Sequence, residues 1–417
     1  MFSSTPRPLD SLYLVPTVHS VHLSANVSSP SSSSLPFQEQ KAKYYEHLQA
    51  AVDVVERACR LCVDVQKSLF SSDGKIIQKL DRTPVTIADF GVQALVSLAE
   101  EDSAFVRENN LVDAVVQVVA DKSSISNKAL SQEDVLKAID RGGKDAYSFG
   151  PEPATYWILD PIDGTRGFVK GSEALYVVGL ALVVEGEIVL GVMGCPNWRD
   201  GDSDVFDTEV QRDESTVSRS GIIMISHVGC GTWKTRSWNA QNGNTGMAHK
   251  WTRCLVDSFH NVCEARFCIP ESQTWESLPL STQFSATTNA NSVGEKHILL
   301  LPACCGSQHA YYNALNGLTA SQNLFSFSLC KYLMVASGRA SVFFLRARTK
   351  RIIKVWDHAV GVICIHEAGG KVTDWKGSQL DFAVDQTERR VIYPSGGVLV
   401  TNDNLHNQIL EIISSST

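Results

Sequence analysis

Residues 157–168 read Trp-Ile-Leu-Asp-Pro-Ile-Asp-Gly-Thr-Arg-Gly-Phe, and this stretch decides the fold because it places two carboxylates and a hydroxyl at the end of an apolar segment. The apolar residues before Asp160 predict the tip of a buried strand, after which a proline removes a backbone donor and a glycine permits a turn. We therefore expect Asp160, Asp163 and Thr165 to converge on one point.

Two acidic groups three positions apart repel each other unless a cation, a proton or a basic partner lies between them. Hard divalent cations prefer oxygen ligands, and Mg²⁺ is usually held by a few carboxylates together with water and substrate phosphate. Taken alone, Asp160 and Asp163 are equally compatible with a solvated Asp-Gly turn. Other parts of the sequence are needed to choose between a metal site and a solvated turn.

A resemblance to a known family favours the metal site. The string Asp-Pro-Ile-Asp-Gly-Thr at 160–165 resembles the metal-binding motif of the lithium-sensitive, Mg²⁺-dependent phosphomonoesterases, the inositol monophosphatase family. Two later segments, Lys-Val-Trp-Asp-His-Ala-Val-Gly at 354–361 and Glu-Ala-Gly-Gly-Lys-Val-Thr-Asp at 367–374, resemble the second motif of that family. The resemblance covers roughly residues 44–405 and is strongest to the plant bisphosphate nucleotidases of this family.

The resemblance implies an α+β fold, with helices and two mixed or antiparallel sheets layered α/β/α/β/α. It also implies a set of oxygen ligands for two or three Mg²⁺ ions, namely Glu100, Asp160, the carbonyl of Ile162, Asp163 and Asp357. Asp89 and Thr165 resemble the pair that orients and deprotonates the attacking water. The residues expected to contact a nucleotide are Thr165, Ser328, Lys331, Arg346 and Asp357.

Each of these residues also has a purely structural interpretation. Asp89 is placed to complete a capping box begun by Thr86, and Asp357 is placed to cap the helix that follows it. Glu100 is compatible with a solvated helix end. Lys331 and Arg346 are compatible with solvated surface charges.

Two spacings depart from the family pattern. Asp89 and Glu100 are only 11 positions apart, and one continuous helix would separate them by ~16 Å along its axis, too far for one metal cluster. Either the helix ends early or the chain has lost a ligand and much of its activity. A segment at 308–327 looks inserted. We treat alternative or imperfectly predicted splicing as a hypothesis for both.

The composition bounds the class of protein. The chain has 417 residues, 43% of them hydrophobic, and a net charge of -8, which argues against a protein that coats nucleic acid. Apolar runs stay well below the roughly 20 residues that cross a bilayer. Eleven cysteines without regular spacing suit a reducing compartment, and the C-x-x-C of Cys59 and Cys62 is better explained by core packing than by a metal.

Several elements can be placed from periodicity. Apolar residues at steps of three and four predict a helix over 44–69, and alternation predicts an antiparallel hairpin over 175–193 that turns at 185–187. Further helices are expected near 329–337 and near 357–368. Polar residues over 199–219 predict a domain junction.

We expect three regions: a disordered transit peptide over 1–40, an N-terminal α+β metal-binding domain over 41–215 and a C-terminal α/β domain over 216–417 that contributes substrate contacts. The hydroxyl-rich, acid-poor start predicts an organellar protein, mitochondrial or alternatively chloroplastic. A tail without targeting function is the other interpretation.

The predicted function is an Mg²⁺-dependent phosphomonoesterase that removes phosphate from 3'-phosphoadenosine 5'-phosphate to give AMP. The alternatives are an inositol phosphate phosphatase and a catalytically impaired variant that only binds nucleotide. The expected partner is a small nucleotide, not a nucleic-acid polymer or a membrane, and we expect a monomer.

Overall fold

The computed structural model describes residues 35–71, 77–78, 84–96, 103–120, 131–142, 155–171, 174–198, 221–236, 250–270, 273–287, 297–301, 328–347, 352–382 and 390–416. The first 34 residues, Glu100, the junction at 199–219 and the insertion at 308–327 lie outside these ranges. The predictions made for them are therefore not addressed by the structure.

Helices and strands are numbered here in chain order. The helices of the described residues are α1 (Tyr45–Ser71), α2 (Ile87–Val96), α3 (Ser103–Glu108), α4 (Val112–Ala120), α5 (Gln132–Gly142), α6 (Thr165–Phe168), α7 (Ser328–Ala336), α8 (Ala359–Glu367) and α9 (Asp403–Ser416). Short 3-10 helices cover Glu39–Lys41, Val262–Glu264, Trp275–Ser277 and Pro279–Thr282.

The strands are β1 (Ile77–Gln78), β2 (Pro84–Val85), β3 (Tyr156–Asp163), β4 (Val177–Val184), β5 (Glu187–Cys195), β6 (Ile222–His227), β7 (Gly231–Arg236), β8 (Thr252–Cys254), β9 (Arg266–Cys268), β10 (Ser285–Thr287), β11 (His297–Leu301), β12 (Val342–Arg346), β13 (Ile353–Lys354), β14 (Gly370–Asp374), β15 (Val391–Ile392) and β16 (Gly397–Asn402).

Two six-stranded sheets form the frame. The first sheet runs β3-β4-β5-β6-β7-β8 and is antiparallel throughout. The second sheet runs β10-β11-β9-β12-β16-β14; its first four strands are parallel and β16 is antiparallel to both of its neighbours. Strands from both sides of residue 215 share the first sheet. Along the chain, the earliest strand of the second sheet is β9.

The helices and the two sheets stack in five layers. α1 and α2 pack on the outer face of the first sheet, α7 and α8 fill the space between the sheets, and α9 packs on the outer face of the second sheet. This order confirms the predicted α+β fold with its α/β/α/β/α arrangement. Within the described ranges, no helix combines the length and the apolar character that crossing a bilayer demands.

Glycines allow the middle layer to pack closely. A Cβ atom on Gly191 of β5 would lie 2.7 Å from Ile363 of α8, and one on Gly361 of α8 would clash with the ring of Tyr332 in α7. Fully burying a side chain such as that of Ile363 contributes about 1.5–3 kcal/mol. The loop before α8 is thereby held close to the first sheet.

The outer layer shows why periodicity succeeds as a predictor. α1 begins and ends within two residues of the predicted helix, and its apolar positions, including Cys59 and Cys62, are buried against the first sheet. Burial raises the pKa of both thiols, so they are inert packing groups. The predicted hairpin is β4 and β5, which turn through Glu185 and Gly186 at φ 54° and 88°.

Candidate active site

A bulge in β3 reverses the usual alternation of its side chains. Residues three positions apart on a regular strand point to opposite faces. In β3, however, Asp160 lies opposite Gly179 and Asp163 lies opposite Val177, so three steps on β3 match two on β4. The one extra residue is a β-bulge, a site where Pro161 does not interrupt a regular ladder. Both carboxylates can therefore lie on one face.

Core packing identifies that face. Ile158 belongs to the core between the two sheets, whereas Leu159 and Ile162 belong to the core under α1. Asp160 follows Ile158 by two positions and Asp163 follows Ile162 by one, so both aspartates point toward the layer of α7 and α8.

The prediction that the strand ends before its proline is wrong, because β3 continues through the bulge to Asp163.

Asp357 joins the two aspartates from the loop before α8. One carboxylate oxygen from each of Asp160, Asp163 and Asp357 lies within 4.8 Å of the other two. Asp160 and Asp163 are only 4% and 7% exposed, and Asp357 is half-buried. Three such charges require a cation or protons between them, and their all-oxygen chemistry fits Mg²⁺. No other described acidic, histidine or cysteine side chains form such a group.

The other two predicted metal ligands, the carbonyl of Ile162 and Glu100, are not part of this group of three side chains. The carbonyl oxygen of Ile162 accepts a hydrogen bond from Thr165 Oγ1 at 3.0 Å. Glu100 lies outside the described residues, since α2 is described as far as Val96. The structure thus brings three of the five predicted ligands together as side chains and leaves Glu100 unaddressed.

Asp89 is hydrogen-bonded to Thr86 at the start of α2 and also to Thr165. Its Oδ2 accepts hydrogen bonds from the backbone N–H of Thr86 at 2.8 Å and from the Thr86 hydroxyl at 2.9 Å, while the N–H of Ala88 donates to Thr86 Oγ1 at 3.2 Å. This is the predicted capping box. The other oxygen, Oδ1, lies 3.4 Å from Thr165 Oγ1. The cap therefore turns one carboxylate oxygen toward Thr165.

The first turn of α7 holds Asp163. The backbone N–H of Leu329, the second residue of the helix, donates to Asp163 Oδ2 at 2.6 Å. Unsatisfied N–H groups at a helix N-terminus favour negative charge. The sequence offered no signal for this bond, because its donor is a backbone N–H.

A buried pair lies behind Asp357. The hydroxyl of Tyr332 and Nδ1 of His358 are 2.8 Å apart in a hydrogen bond, and both residues are at most 1% exposed. Burial, and next the nearby carboxylate of Asp357, raise the pKa of Tyr332, so the phenol stays protonated. Sequence reasoning missed this pair, because histidine next to Asp357 reads as part of the motif.

The predicted nucleotide contacts lie on α7 and at the end of β12. Ser328 is the first residue of α7, one position before the N–H that binds Asp163. Lys331 is 1% exposed and its Nζ lies 5.7 Å from the centre of the Phe343 ring, so it is not a solvated surface charge. Arg346 is exposed, and its Nη1 donates to the carbonyl of Ser277 at 2.6 Å.

The chain is similar to known proteins over most of its length. The model of the inositol monophosphatase family matches residues 94–417. A relative from Arabidopsis thaliana that carries the provisional name 3'(2'),5'-bisphosphate nucleotidase, mitochondrial, is 59% identical over 92% of this chain and 91% of its own. The 3'(2'),5'-bisphosphate nucleotidase of Oryza sativa is 30% identical over 89% of this chain and 95% of its own.

Among solved structures, the Thermotoga maritima IMPase resembles the chain with a TM-score of 0.45 and 17% identity, covering 89% of this chain and 98% of that one. The family model matches well over half of the chain, and the Arabidopsis relative matches nearly all of it. This protein therefore belongs to the inositol monophosphatase family.

Proposed function

We propose that this protein is an Mg²⁺-dependent 3'(2'),5'-bisphosphate nucleotidase that hydrolyses 3'-phosphoadenosine 5'-phosphate to AMP and phosphate. The observation that carries the proposal is the meeting of Asp160, Asp163 and Asp357 beside the Asp89–Thr165 pair. Relatives across most of the chain are named bisphosphate nucleotidases, which supports this substrate class over inositol phosphates.

In this proposal the three aspartates, with the carbonyl of Ile162 and with Glu100, hold two or three Mg²⁺ ions. Bound Mg²⁺ would lower the pKa of the attacking water and offset charge on the transferred phosphoryl group. The ligand chemistry supports this assignment, because all of the donors are oxygen atoms.

The protein's own residues would guide the proton. Oδ2 of Asp89 is occupied by Thr86, which leaves Oδ1 facing the hydroxyl of Thr165. As water attacks the 3'-phosphorus, Thr165 accepts one proton from the water and passes its own hydroxyl proton to Asp89. The P–O bond to the ribose 3'-oxygen breaks, and solvent protonates that oxygen.

The substrate side of the site would use Ser328, Lys331 and Arg346 for the nucleotide, with Thr165 and Asp357 near the scissile phosphate. A lysine and an arginine supply the positive charge that a second phosphate requires. The family assignment also leads us to propose inhibition by Li⁺, because a weakly held Mg²⁺ position would accept a small monovalent ion.

The cellular location and the oligomeric state are part of the same proposal. We place the protein in an organelle, the mitochondrion, since one close relative is named mitochondrial. We propose a monomer that does not bind a nucleic-acid polymer, in which the region after residue 216 contributes substrate contacts and also supplies Asp357 to the metal site.

The test is phosphate release by the purified full chain from 3'-phosphoadenosine 5'-phosphate and from inositol 1-phosphate, each with Mg²⁺ and with chelator. We expect Mg²⁺-dependent turnover of the nucleotide that is lost in Asp160→Asn. Preference for the inositol phosphate would reject the nucleotidase assignment. Tight nucleotide binding by calorimetry without any turnover would instead identify a silent binder, the outcome that the short spacing from Asp89 to Glu100 would explain.

A further inference from the structure

Helix α7 contacts both segments that supply the acidic cluster. At its first turn, the backbone N–H of Leu329 donates to Asp163 at the end of β3. Three residues later, the hydroxyl of Tyr332 is hydrogen-bonded to Nδ1 of His358 at 2.8 Å, and His358 directly follows Asp357. Residues three apart on a helix are neighbours on its surface, so one side of α7 meets both segments.

The backbone around Asp357 forms a tight turn. The carbonyl oxygen of Val355 accepts hydrogen bonds from the N–H groups of His358 at 3.1 Å and of Ala359 at 2.9 Å. His358 is the N-cap residue of α8, yet its ring makes no capping hydrogen bond there and instead binds Tyr332. Because Asp357 lies inside this turn, a contact that fixes His358 also fixes the backbone of the aspartate.

The ring of Tyr332 is itself held by three elements. It packs edge-to-face against the ring of His358, with centres 5.7 Å apart, and against the ring of Phe343 in β12, with centres 5.3 Å apart. It also lies against Gly361 of α8, where a Cβ atom would clash with it. Tyr332 and Phe343 are fully buried. In so closely packed an interior, the hydroxyl of Tyr332 has little freedom to move.

Asp357 is the member of the cluster that most needs such a contact. Asp160 and Asp163 share one strand and are almost fully buried, whereas Asp357 is half-buried and comes from a loop. One carboxylate oxygen of each lies within 4.8 Å of the other two, and like charges at this distance repel. The attraction that holds Asp357 beside the other aspartates must therefore come from elsewhere in the fold or from a bound cation.

We propose that Tyr332 and His358 form a positioning pair, which fixes Asp357 relative to Asp163 and thereby raises the affinity of the acidic cluster for Mg²⁺. Neither side chain contacts the ion or the substrate in this role. The inference rests on the proposed Mg²⁺-dependent function and deepens it. Residues that orient a metal ligand without binding the metal typically change metal affinity about 10–100-fold when they are mutated.

Tyr332→Phe tests the pair, because it removes the hydroxyl and keeps the ring. In steady-state assays with 3'-phosphoadenosine 5'-phosphate, we expect the Mg²⁺ concentration at half-maximal rate to rise about tenfold. We expect kcat at saturating Mg²⁺ to fall less than about threefold, since all three aspartates remain. Calorimetry with Mg²⁺ alone gives a readout without turnover. At about a hundred times the wild-type Kd, a tenfold weaker Kd should reduce the Mg²⁺-induced rise in Tm to about half.

Tyr156→Phe is the matched control. Tyr156 is a 7% exposed tyrosine at the start of β3, and its hydroxyl donates to the carbonyl of Phe382 at 3.3 Å. This variant also loses a buried hydroxyl, so it should lower the stability but leave both Mg²⁺ measurements unchanged. Equal weakening of Mg²⁺ binding in the two variants would overturn the inference, because a general loss of stability would then explain both.

A double-mutant cycle tests whether the two residues act together. His358→Leu removes the same hydrogen bond from the other side, so Tyr332→Phe should add no further weakening of Mg²⁺ binding in that background. Additive losses would overturn the pairing. If His358→Leu does not fold, the comparison of Tyr332→Phe with Tyr156→Phe decides by itself.

The failures of the two proposals are distinguishable. A wild-type protein that responds to Mg²⁺, together with a Tyr332→Phe variant that responds equally, overturns this inference alone. A wild-type protein that shows neither Mg²⁺-dependent turnover nor a Mg²⁺-induced rise in Tm overturns the proposed function together with the inference.

Discussion

Replacing Asp163 by asparagine should make the metal-free protein more stable while it abolishes turnover. Two unit charges 4.8 Å apart repel by about 3.5 kcal/mol at an effective dielectric constant of 20. Neutralising Asp163 removes this repulsion from Asp160, both being buried. The neutral amide oxygen still accepts the Leu329 N–H, though less strongly, at a cost of about 1 kcal/mol.

The net gain of about 2.5 kcal/mol converts to a rise in Tm. At ~2.1 cal/mol/K per residue, the unfolding entropy of 417 residues turns 2.5 kcal/mol into about 3 °C. Mg²⁺ at a hundred times its Kd would stabilise the wild type by about 2.7 kcal/mol, a similar shift. The variant should lose most of that response.

Differential scanning calorimetry with chelator and with saturating Mg²⁺ measures both quantities. Asp403→Asn is the matched control, since Asp403 is a 66% exposed aspartate that pairs with Lys371 and should contribute less than about 1 kcal/mol. A metal-free Asp163→Asn protein with a lower Tm than the wild type would refute the repulsion argument. An undiminished Mg²⁺ response would refute the assignment of Asp163 as a ligand.

Three further predictions concern other parts of the structure. Thr165→Val should lower kcat about 10²-fold or more with little change in KM, whereas Thr165→Ser should retain activity; steady-state kinetics decide, and an active valine variant would exclude the proton path. Tyr332→Phe removes a buried hydrogen bond and should cost about 1–3 kcal/mol in urea unfolding, while Tyr393→Phe, at a 72% exposed position, should cost less than about 0.5 kcal/mol. Burial, and next the charge of Lys371, lower the pKa of His406 to about 4, below its ordinary value of about 6.5. Its contribution to stability is therefore complete above pH 6.5 and is lost as the pH falls toward 4, so the urea midpoint should decline over this range less steeply in His406→Gln than in the wild type.

The sequence predicted the fold well where one face of an element is apolar. α1 and the β4–β5 hairpin lie within a few residues of their predicted bounds, because burial on one side imposes a period that can be read directly. The end of β3 was missed, since a bulge depends on pairing with β4 and leaves no local signal. Nor did polarity reveal that the first sheet continues beyond residue 215.

The candidate site was predictable as a set of carboxylates but not as a geometry. The resemblance supplied Asp160, Asp163 and Asp357, and the structure brings them together. The Leu329 N–H that binds Asp163, and the Tyr332–His358 pair near Asp357, could not be found from sequence. A backbone N–H is present in every residue except proline, so it gives no signal in the sequence. The tyrosine and histidine are 26 positions apart, so no local pattern links them.

The acidic cluster is assembled from aspartates almost two hundred positions apart, one of which is anchored by a helix that starts between them along the chain. Neither half of the polypeptide holds all three aspartates of the cluster. Premature termination before Asp357 should therefore abolish catalysis instead of leaving a partly working fragment. The measured turnover of a preparation should therefore be proportional to the fraction of its molecules in which the two sheets are packed together.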